Sequence, residues 1–302
     1  MTQPTTRSPY RQDLLEGKNI LITGGGTGLG RGVARHFVDH GAKVHLWGRR
    51  GAVLKEAAEE ASGSRPGNVH VHTVDVRQFD AVDAVMESIW QEHGPLTGVV
   101  NNAAANFIAQ TKELSPRAFD AVAGTVMNGS FHTTLAAGKR WIADGLPGSV
   151  VSTLTSWVWT GSAFVVPSAM GKAAVHSMTM SLAVEWAKYG IRVNALAPGP
   201  IPTDYAWAML NPTESSAVGA TQVDQIPAGR AGTIEELANL TMFLLSDACD
   251  YLTGQTIAMD GGQMLAGPGT FAGLSSLSDG DWEDIKQRSL AATAATKAQR
   301  SV

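Results

Sequence analysis

The sequence predicts a single α/β domain built on a doubly wound, seven-stranded parallel sheet. Short apolar runs alternate with helical patterns from residue 18 to about 260. Alternation of this kind is typical of successive βαβ units. The chain has 302 residues, of which 44% are hydrophobic, so it is long enough for one large core. No internal repeat divides it, and we therefore predict one domain rather than two.

The strand predictions are short apolar runs bounded by turn residues. They cover residues 18–23, 43–47, 69–74, 97–101, 149–153, 191–196 and 255–259. Seven such runs separated by helical segments are enough for a full doubly wound sheet.

The helix predictions fall between these strands, at residues 28–40, 51–62, 79–93, 116–144, 168–188 and 233–246. Thr233, followed three residues later by Glu236, opens the last helix as a capping box. Residues 201–230 contain three prolines and lack periodicity, so we predict a substrate lid there. Residues 1–17 form an N-terminal lead, 18–262 the catalytic domain, and 263–302 a C-terminal extension that begins with a Gly/Ser-rich surface loop over 263–280.

Composition excludes several classes of protein. There are 27 acidic and 23 basic residues, for a net charge of -4, so no overall basic field favours nucleic acid or a membrane surface. No stretch is long and apolar enough to span a membrane, and the first residues lack the apolar core of a signal peptide. The single cysteine, Cys249, cannot form an internal disulfide and is expected to be buried. The eight histidines have no metal-ligand spacing, so we expect no metal site. The lack of an apolar signal-peptide core and the single cysteine lead us to expect a cytoplasmic protein.

A glycine-rich turn follows the first strand and precedes the first helix. It reads Thr23-Gly24-Gly25-Gly26-Thr27-Gly28-Leu29-Gly30, with a spacing that differs from the commoner G-x-G-x-x-G. In this position, backbone N–H groups and a helix N-terminus can bind a pyrophosphate. The sequence therefore predicts a Rossmann dinucleotide site, with contacts from Thr23, Gly24, Thr27, Gly28, Leu29 and Gly30.

The end of the second strand indicates which dinucleotide binds. It reads Trp47-Gly48-Arg49-Arg50, without the acidic residue that usually binds the ribose 2′-hydroxyl of NAD. Arg49, Arg50 and Arg31 can instead form charge-assisted hydrogen bonds to a 2′-phosphate, which predicts NADP(H).

Further cofactor contacts are predicted where the third and fourth strands end. Asp75, followed by Val76, either accepts from the adenine amino group or caps a helix. The short side chains around Asn102, Ala103 and Ala104 let the backbone approach the cofactor.

Several of these motifs together resemble the short-chain dehydrogenase/reductases over nearly the whole chain. They are the glycine turn, Asn101-Asn102-Ala103-Ala104, Asn128 in MNGSF, Lys172, Pro198-Gly199-Pro200-Ile201 and Asp260-Gly261-Gly262. In most members of that family, a tyrosine four residues before the lysine protonates an alkoxide. This chain has Ser168 at that position. A serine hydroxyl is a far weaker acid, so ordinary carbonyl chemistry is handicapped.

A narrower group, the 2,4-dienoyl-CoA reductases, shares this serine. Segments 101–107, 161–173, 182–194, 197–201 and 232–240 resemble the mitochondrial type. The resemblance implies NADPH-dependent reduction of a conjugated double bond in a 2,4-dienoyl-CoA thioester, as in the degradation of unsaturated fatty acids. Hydride adds to the distal alkene carbon and negative charge accumulates on the thioester oxygen. Such a site needs hydrogen-bond donors to that oxygen more than it needs a phenol, and the proton later delivered to carbon can come from water.

The resemblance also implies residue roles. Asn106 donates to the thioester oxygen, while Ser168 and Lys172 hold the thioester and the nicotinamide ribose. The backbone carbonyl region of Asn128 holds a water near the lysine. Pro198, Gly199 and Ile201 approach the nicotinamide carboxamide.

One position departs from the mitochondrial type, which has a tyrosine where this chain has Trp157. An indole N–H can donate to the thioester oxygen, or the ring can pack against the acyl chain. Thr155, Ser156 and Tyr205 are alternative sources of the missing hydroxyl.

The helix over 168–188 carries small residues at four-residue spacing: Ala169, Ala173, Ser177 and Ser181. In the family this helix and the preceding one form subunit contacts, which implies a homotetramer. Packing within one subunit would produce the same stripe. Three other functions remain open: a trans-2-enoyl-CoA reductase, a non-catalytic NADP(H)-binding regulator, and a carbonyl reductase that recruits Tyr205.

Overall fold

Seven parallel strands form one sheet in the order β3-β2-β1-β4-β5-β6-β7. The computed structural model describes residues 8–63, 65–106, 108–203, 223–267, 278–281, 283–284 and 287. The strands are β1 (Asn19–Thr23), β2 (Lys43–Gly48), β3 (Val69–Thr73), β4 (Gly98–Asn101), β5 (Gly148–Thr153), β6 (Ile191–Pro198) and β7 (Thr256–Met259). All seven predicted strands are confirmed. The strand order reverses between β1 and β4, and a ligand crevice is expected at such a switch point.

Helices cover both faces of the sheet. They are α1 (Gly28–Asp39), α2 (Gly51–Ser62), α3 (Phe79–His93), α4 (Pro116–Ala123), α5 (Gly129–Asp144), α6 (Trp157–Thr160), α7 (Val166–Trp186), α8 (Ile234–Leu245) and α9 (Gln263–Ala266). The predicted capping box at the start of α8 is confirmed, because Thr233 Oγ1 accepts from the Glu236 amide and the Glu236 carboxylate accepts from the Thr233 amide.

Side chains of successive strand residues enter two cores on opposite faces of the sheet. In β1, Ile20 and Ile22 pack with α1, α2 and α8, whereas Leu21 packs with α3 and α5. All five residues of β1 are buried, as expected for a central parallel strand covered on both faces. Cys249 is buried in the first of these cores, as predicted.

The helix predicted over 116–144 contains an irregular turn. A π-helical segment, Gly124–Asn128, separates α4 from α5. Close packing explains why a glycine follows it, because a Cβ at Gly129 would lie 2.5 Å from Val76 Cγ2. Single π-turns inside helices often occur at functional sites. The sequence pattern did not distinguish this turn from a regular helix.

Two other boundaries differ from the predictions. Helix α7 begins at Val166, two residues before the predicted start, and α6 was not predicted at all. The surface loop predicted for 263–280 begins instead with the one-turn helix α9.

Parts of the predicted lead, lid and C-terminal extension lie outside the described residues. Of the lid, residues 204–222, which include Tyr205, are not described, while 223–225 form a 3₁₀ turn. In the described part of the lead, Leu15 is buried and its amide donates to the carbonyl of His40. No helix among the described residues is long and apolar enough to cross a membrane.

Candidate active site

The glycine turn brings β1 and α1 close together. Gly24 and Gly28 adopt left-handed conformations, with φ of +67° and +54°. A Cβ at Gly30 would lie 2.5 Å from the Gly24 carbonyl oxygen, so only glycine fits at this position. Thr27 precedes α1 without forming a side-chain cap, which leaves the first-turn amides of Gly28, Leu29 and Gly30 without a side-chain partner. Such amides at a helix N-terminus suit a phosphate.

Thr23 connects the turn to the end of β4. Its hydroxyl accepts from the backbone amides of Asn102 and Ala103, each at 3.0 Å. The Asn102 side-chain amide donates in turn to the Thr23 carbonyl at 3.1 Å. These bonds hold the predicted small-residue segment directly beside the glycine turn.

An open cleft lies at this point, and we call it the glycine-turn cleft. It is lined by eight of the predicted cofactor residues: Gly24, Thr27, Arg49, Arg50, Asp75, Val76, Ala103 and Ala104. Val53, Leu54, Val74 and Thr125 also line it and were not predicted. Apolar side chains, free helix amides and two arginines fit a dinucleotide.

The three arginines predicted to bind the 2′-phosphate differ in their environment. Arg49 and Arg50 are exposed at the mouth of the cleft, and neither forms an ion pair with another described residue. Arg31 is instead paired with two carboxylates of α2: its guanidinium lies 3.0 Å from Glu56 and also contacts Glu60. The geometry therefore leaves Arg49 and Arg50 as the available cations.

Asp75 forms an ion pair with Arg77, whose guanidinium donates to both carboxylate oxygens. This pairing holds the pKa of Asp75 below its usual value. Asp75 Oδ1 also accepts from the Arg77 backbone amide at 3.1 Å, so it stabilises the turn before α3. A carboxylate has enough lone pairs to accept from an adenine amino group as well.

Ser168 and Lys172 lie one turn apart on α7, and both are buried. Ser168 is 3% exposed and Lys172 is 7% exposed. The Lys172 ammonium donates to the carbonyl of Thr153, at the end of β5. Burial lowers the pKa of Lys172 from 10.5 to about 8. A largely desolvated lysine that is still cationic at neutral pH can orient ribose hydroxyls and favour negative charge nearby.

Comparison with known proteins places the chain in a family. The model described as enoyl-(acyl carrier protein) reductase matches residues 24–264. The chain is 39% identical to the "Probable 2,4-dienoyl-CoA reductase 3" of Caenorhabditis elegans, described as (3E)-enoyl-CoA-producing, over 94% of this chain and 93% of that protein.

The chain belongs to the short-chain dehydrogenase/reductase family.

Two further matches agree with this assignment. A Bacillus subtilis protein named as a probable (2E)-enoyl-CoA-producing 2,4-dienoyl-CoA reductase is 39% identical over 83% of this chain and 98% of its own length. The crystal structure of a short chain dehydrogenase from Bacillus anthracis has a TM-score of 0.76 and 38% identity, and covers 83% of this chain and 97% of its own. As a short-chain dehydrogenase/reductase with a Rossmann fold, the protein is an oxidoreductase that uses a nicotinamide cofactor.

The oxyanion donor expected in this short-chain dehydrogenase/reductase lies on the segment after β4. Asn106 is half-buried, and its side chain forms no hydrogen bond with the described residues. Trp157 is the first residue of α6, which packs against α7. Its indole N–H also has no partner in the described part of the chain, whereas its backbone amide donates to Thr155 Oγ1 at 3.1 Å. Both side-chain donors are therefore available to a ligand.

Asn128, whose backbone carbonyl is predicted to hold a water near Lys172, lies on the helix that packs against α7. It is exposed at the end of the π-turn. The residue of this turn that packs against α7 is Val126, whose Cβ lies 3.1 Å from where a Cβ at Gly171 would stand, next to Lys172. The irregular turn therefore packs Val126 against α7.

The turn after β6 leads to Thr203, whose Oγ1 would lie 3.6 Å from a Cβ at Gly28 of the glycine turn. Pro198 ends β6 beside Met259, and the Gly199 amide donates to the Met259 carbonyl at 3.0 Å. A Cβ at Gly199 would lie 2.8 Å from Asp260 Cα, which explains the glycine. Ile201 is buried against Gly232. Gly199 and Pro200 line a second cleft together with Asp260, Gly261 and Gly262.

Proposed function

We propose that this protein is an NADPH-dependent reductase of 2,4-dienoyl-CoA thioesters. The observation that carries the proposal is the pairing of buried Ser168 with buried Lys172 where other family members have tyrosine and lysine. A site without a phenol acid suits a reaction in which negative charge rests on a thioester oxygen and the proton goes to carbon. The names of the two 39% identical relatives support the same substrate class.

The described tyrosines support this reading over carbonyl reduction. Tyr10 lies beside Cys249, Tyr189 follows α7, and Tyr251 is fully exposed before β7. None of the three is near Lys172, so among the described residues no phenol is available to protonate an alkoxide.

The side chains of the site stabilise the charge that develops during reduction. When bound, NADPH supplies hydride to the distal alkene carbon. Asn106 donates its side-chain amide to the thioester oxygen, and the Ser168 hydroxyl and the Trp157 indole are further donors on the other side of the site. One such donor contributes about 3–4 kcal/mol to transition-state stabilisation. Lys172 holds the nicotinamide ribose and contributes a positive charge.

The preference for NADPH over NADH is supported by Arg49 and Arg50. Neither arginine forms an ion pair in the described chain. Asp75 is the only carboxylate among the described residues that line the cleft, and it is paired with Arg77. No acidic side chain is therefore available near β2 to select a ribose 2′-hydroxyl.

We also propose a homotetramer. In the small-residue stripe of α7, Ser177 and Ser181 are exposed, so packing within the subunit does not explain them. Large apolar side chains beside the stripe are exposed as well, and Val184 is 83% exposed. This surface supports close helix packing against another copy. The charge of -4 and the single cysteine support a cytoplasmic protein without nucleic-acid or membrane partners.

The test measures the loss of NADPH absorbance when purified protein is mixed with each of three candidate substrates in turn. They are a trans,trans-2,4-dienoyl-CoA, the matching trans-2-enoyl-CoA, and a simple ketone. We expect turnover of the diene, with the product identified by mass spectrometry. Turnover of the monoene alone would favour the enoyl-CoA reductase alternative, which the name of the matching family model also suggests. NADPH binding without turnover of any substrate would favour the regulator.

A further inference from the structure

Phe164 has an unusual backbone conformation. Its φ is +64°, and no other non-glycine residue among those described has a positive φ. A bulky side chain is rarely found in this region, because its Cβ crowds the backbone. Strained residues of this kind persist where the surrounding structure requires them, often at active sites.

Neither burial nor helix formation explains the conformation. The Phe164 side chain is 57% exposed, so its ring does not contribute to the core. Helix α7 is started by the next residue, Val165, whose carbonyl accepts from the amides of Ser168 and Ala169 at 3.0 Å. The feature that can account for the conformation is the Phe164 carbonyl, which accepts a hydrogen bond from the Ala109 amide at 2.9 Å.

This hydrogen bond connects the two halves of the candidate site. Ala109 lies three residues after Asn106, on the segment that follows β4. Phe164 lies four residues before Ser168, at the entrance to α7. Among the described residues, it is the hydrogen bond that joins segment 102–115 to segment 154–166. It therefore links the segment that carries Asn106 directly to the entrance of α7, which carries Ser168.

We propose that Phe164 is a positioning residue: its left-handed conformation directs its carbonyl to Ala109 and thereby sets the distance between Asn106 and the Ser168–Lys172 pair. The proposal rests on the proposed function, in which one thioester oxygen receives hydrogen bonds from both segments. The backbone conformation, rather than the aromatic ring, is what the site requires.

Three substitutions separate the backbone from the ring. Phe164→Val removes the ring and introduces a β-branched residue that disfavours a positive φ, whereas Phe164→Asn and Phe164→Gly remove the ring and accept a positive φ. For Phe164→Val we expect faster hydrogen exchange of the peptide containing Ala109 and a fall in kcat of about tenfold or more, because small misplacements of catalytic groups are costly. For Phe164→Asn and Phe164→Gly we expect wild-type exchange and a kcat within about threefold of wild type.

NADPH affinity, measured by fluorescence titration, is expected to stay unchanged in all three variants, because neither Ala109 nor Phe164 lines the glycine-turn cleft. Equal losses of kcat in all three would overturn the proposal by assigning the effect to the ring. Unaltered exchange or unaltered kcat in Phe164→Val would also overturn it.

Failure of the proposed function has a different signature. In that case the wild-type protein turns over neither the diene nor the monoene. Hydrogen exchange at Ala109 is still faster in Phe164→Val than in wild type, and is unchanged in Phe164→Asn and Phe164→Gly. A wild-type protein with no such turnover and no such exchange response would contradict both proposals.

Discussion

Four histidines from β2, β3 and the end of α3 pack together, and we call them the histidine cluster: His45, His70, His72 and His93. His45 is fully buried on β2, with Nδ1 3.0 Å from His72 Nε2 and Nε2 2.9 Å from Asn19 Oδ1. The rings of His70 and His93 are 4.0 Å apart between centroids. No group of three or more such side chains among the described residues has the geometry to hold a metal ion.

The cluster is expected to make folding sensitive to acid. Burial, followed by the like charges of His72, His70, His93 and Lys43, lowers the pKa of His45 from 6.5 to about 2. The unfolded chain therefore takes up a proton at this position below pH 6.5, while the folded protein does not, and stability is lost as the pH falls. At about pH 5, some 1.5 units below the unfolded pKa, His45 alone costs about 2 kcal/mol.

The other members of the cluster act in the same direction. His72, with a pKa lowered to about 4, adds a smaller amount because it is more exposed and solvent screens it. Glu92 on α3 opposes the shift at His72 only in part. A loss of about 2 kcal/mol is a large fraction of the 5–15 kcal/mol that stabilises a typical domain.

The prediction is tested by urea unfolding at about pH 7.5 and about pH 5, followed by tryptophan fluorescence at one protein concentration. In His45→Gln, the drop in unfolding free energy between the two pH values should be smaller than in wild type by about 2 kcal/mol. His176→Gln, on α7 and outside the cluster, is the matched control and should behave like wild type. Equal pH dependence in His45→Gln and wild type, at equal m-values, would refute the reasoning.

Three further substitutions test the candidate site and the turn beside it. Arg49→Ala should weaken NADPH binding by about 1.5–3 kcal/mol with little effect on NADH, since a charge-assisted hydrogen bond to the 2′-phosphate is lost; fluorescence titration measures both, and Arg35→Ala is the control. Asn106→Ala should lower kcat by about 100-fold or more, because an oxyanion donor is removed; an equal loss of NADPH affinity would contradict that role. Gly30→Ala should cost about 1–3 kcal/mol in urea unfolding, since its Cβ would lie 2.5 Å from the Gly24 carbonyl oxygen; unchanged stability would argue against close packing there.

Much of the architecture could be predicted because its signals are local. A buried parallel strand is a short apolar run, and the capping box at Thr233 and Glu236 needs only two residues three apart. Arg49 and Arg50 were assigned to the cleft because they follow β2 directly, and a parallel sheet presents the ends of its strands at one edge.

Other parts of the site depend on contacts between distant elements. Glu56 and Glu60 form ion pairs with Arg31 because α1 and α2 pack side by side. No spacing in the sequence indicates this packing. The π-turn leaves the Asn128 side chain exposed and packs Val126 against α7, and no spacing in the sequence indicates this arrangement. Thr125 enters the glycine-turn cleft from the same turn and has no local signal of its own.

By itself, the sequence determined the seven strands, the long helices between them, the glycine turn and the family, because each of these depends on periodicity or on residues close together in the chain. Only the tertiary structure decided which arginines are free for a ligand, which face of the interrupted helix meets Lys172, and how the Ala109 amide reaches Phe164. These features depend on how segments about 25 to 60 residues apart pack against each other, and burial, ion pairing and local backbone strain exist only once that packing has formed.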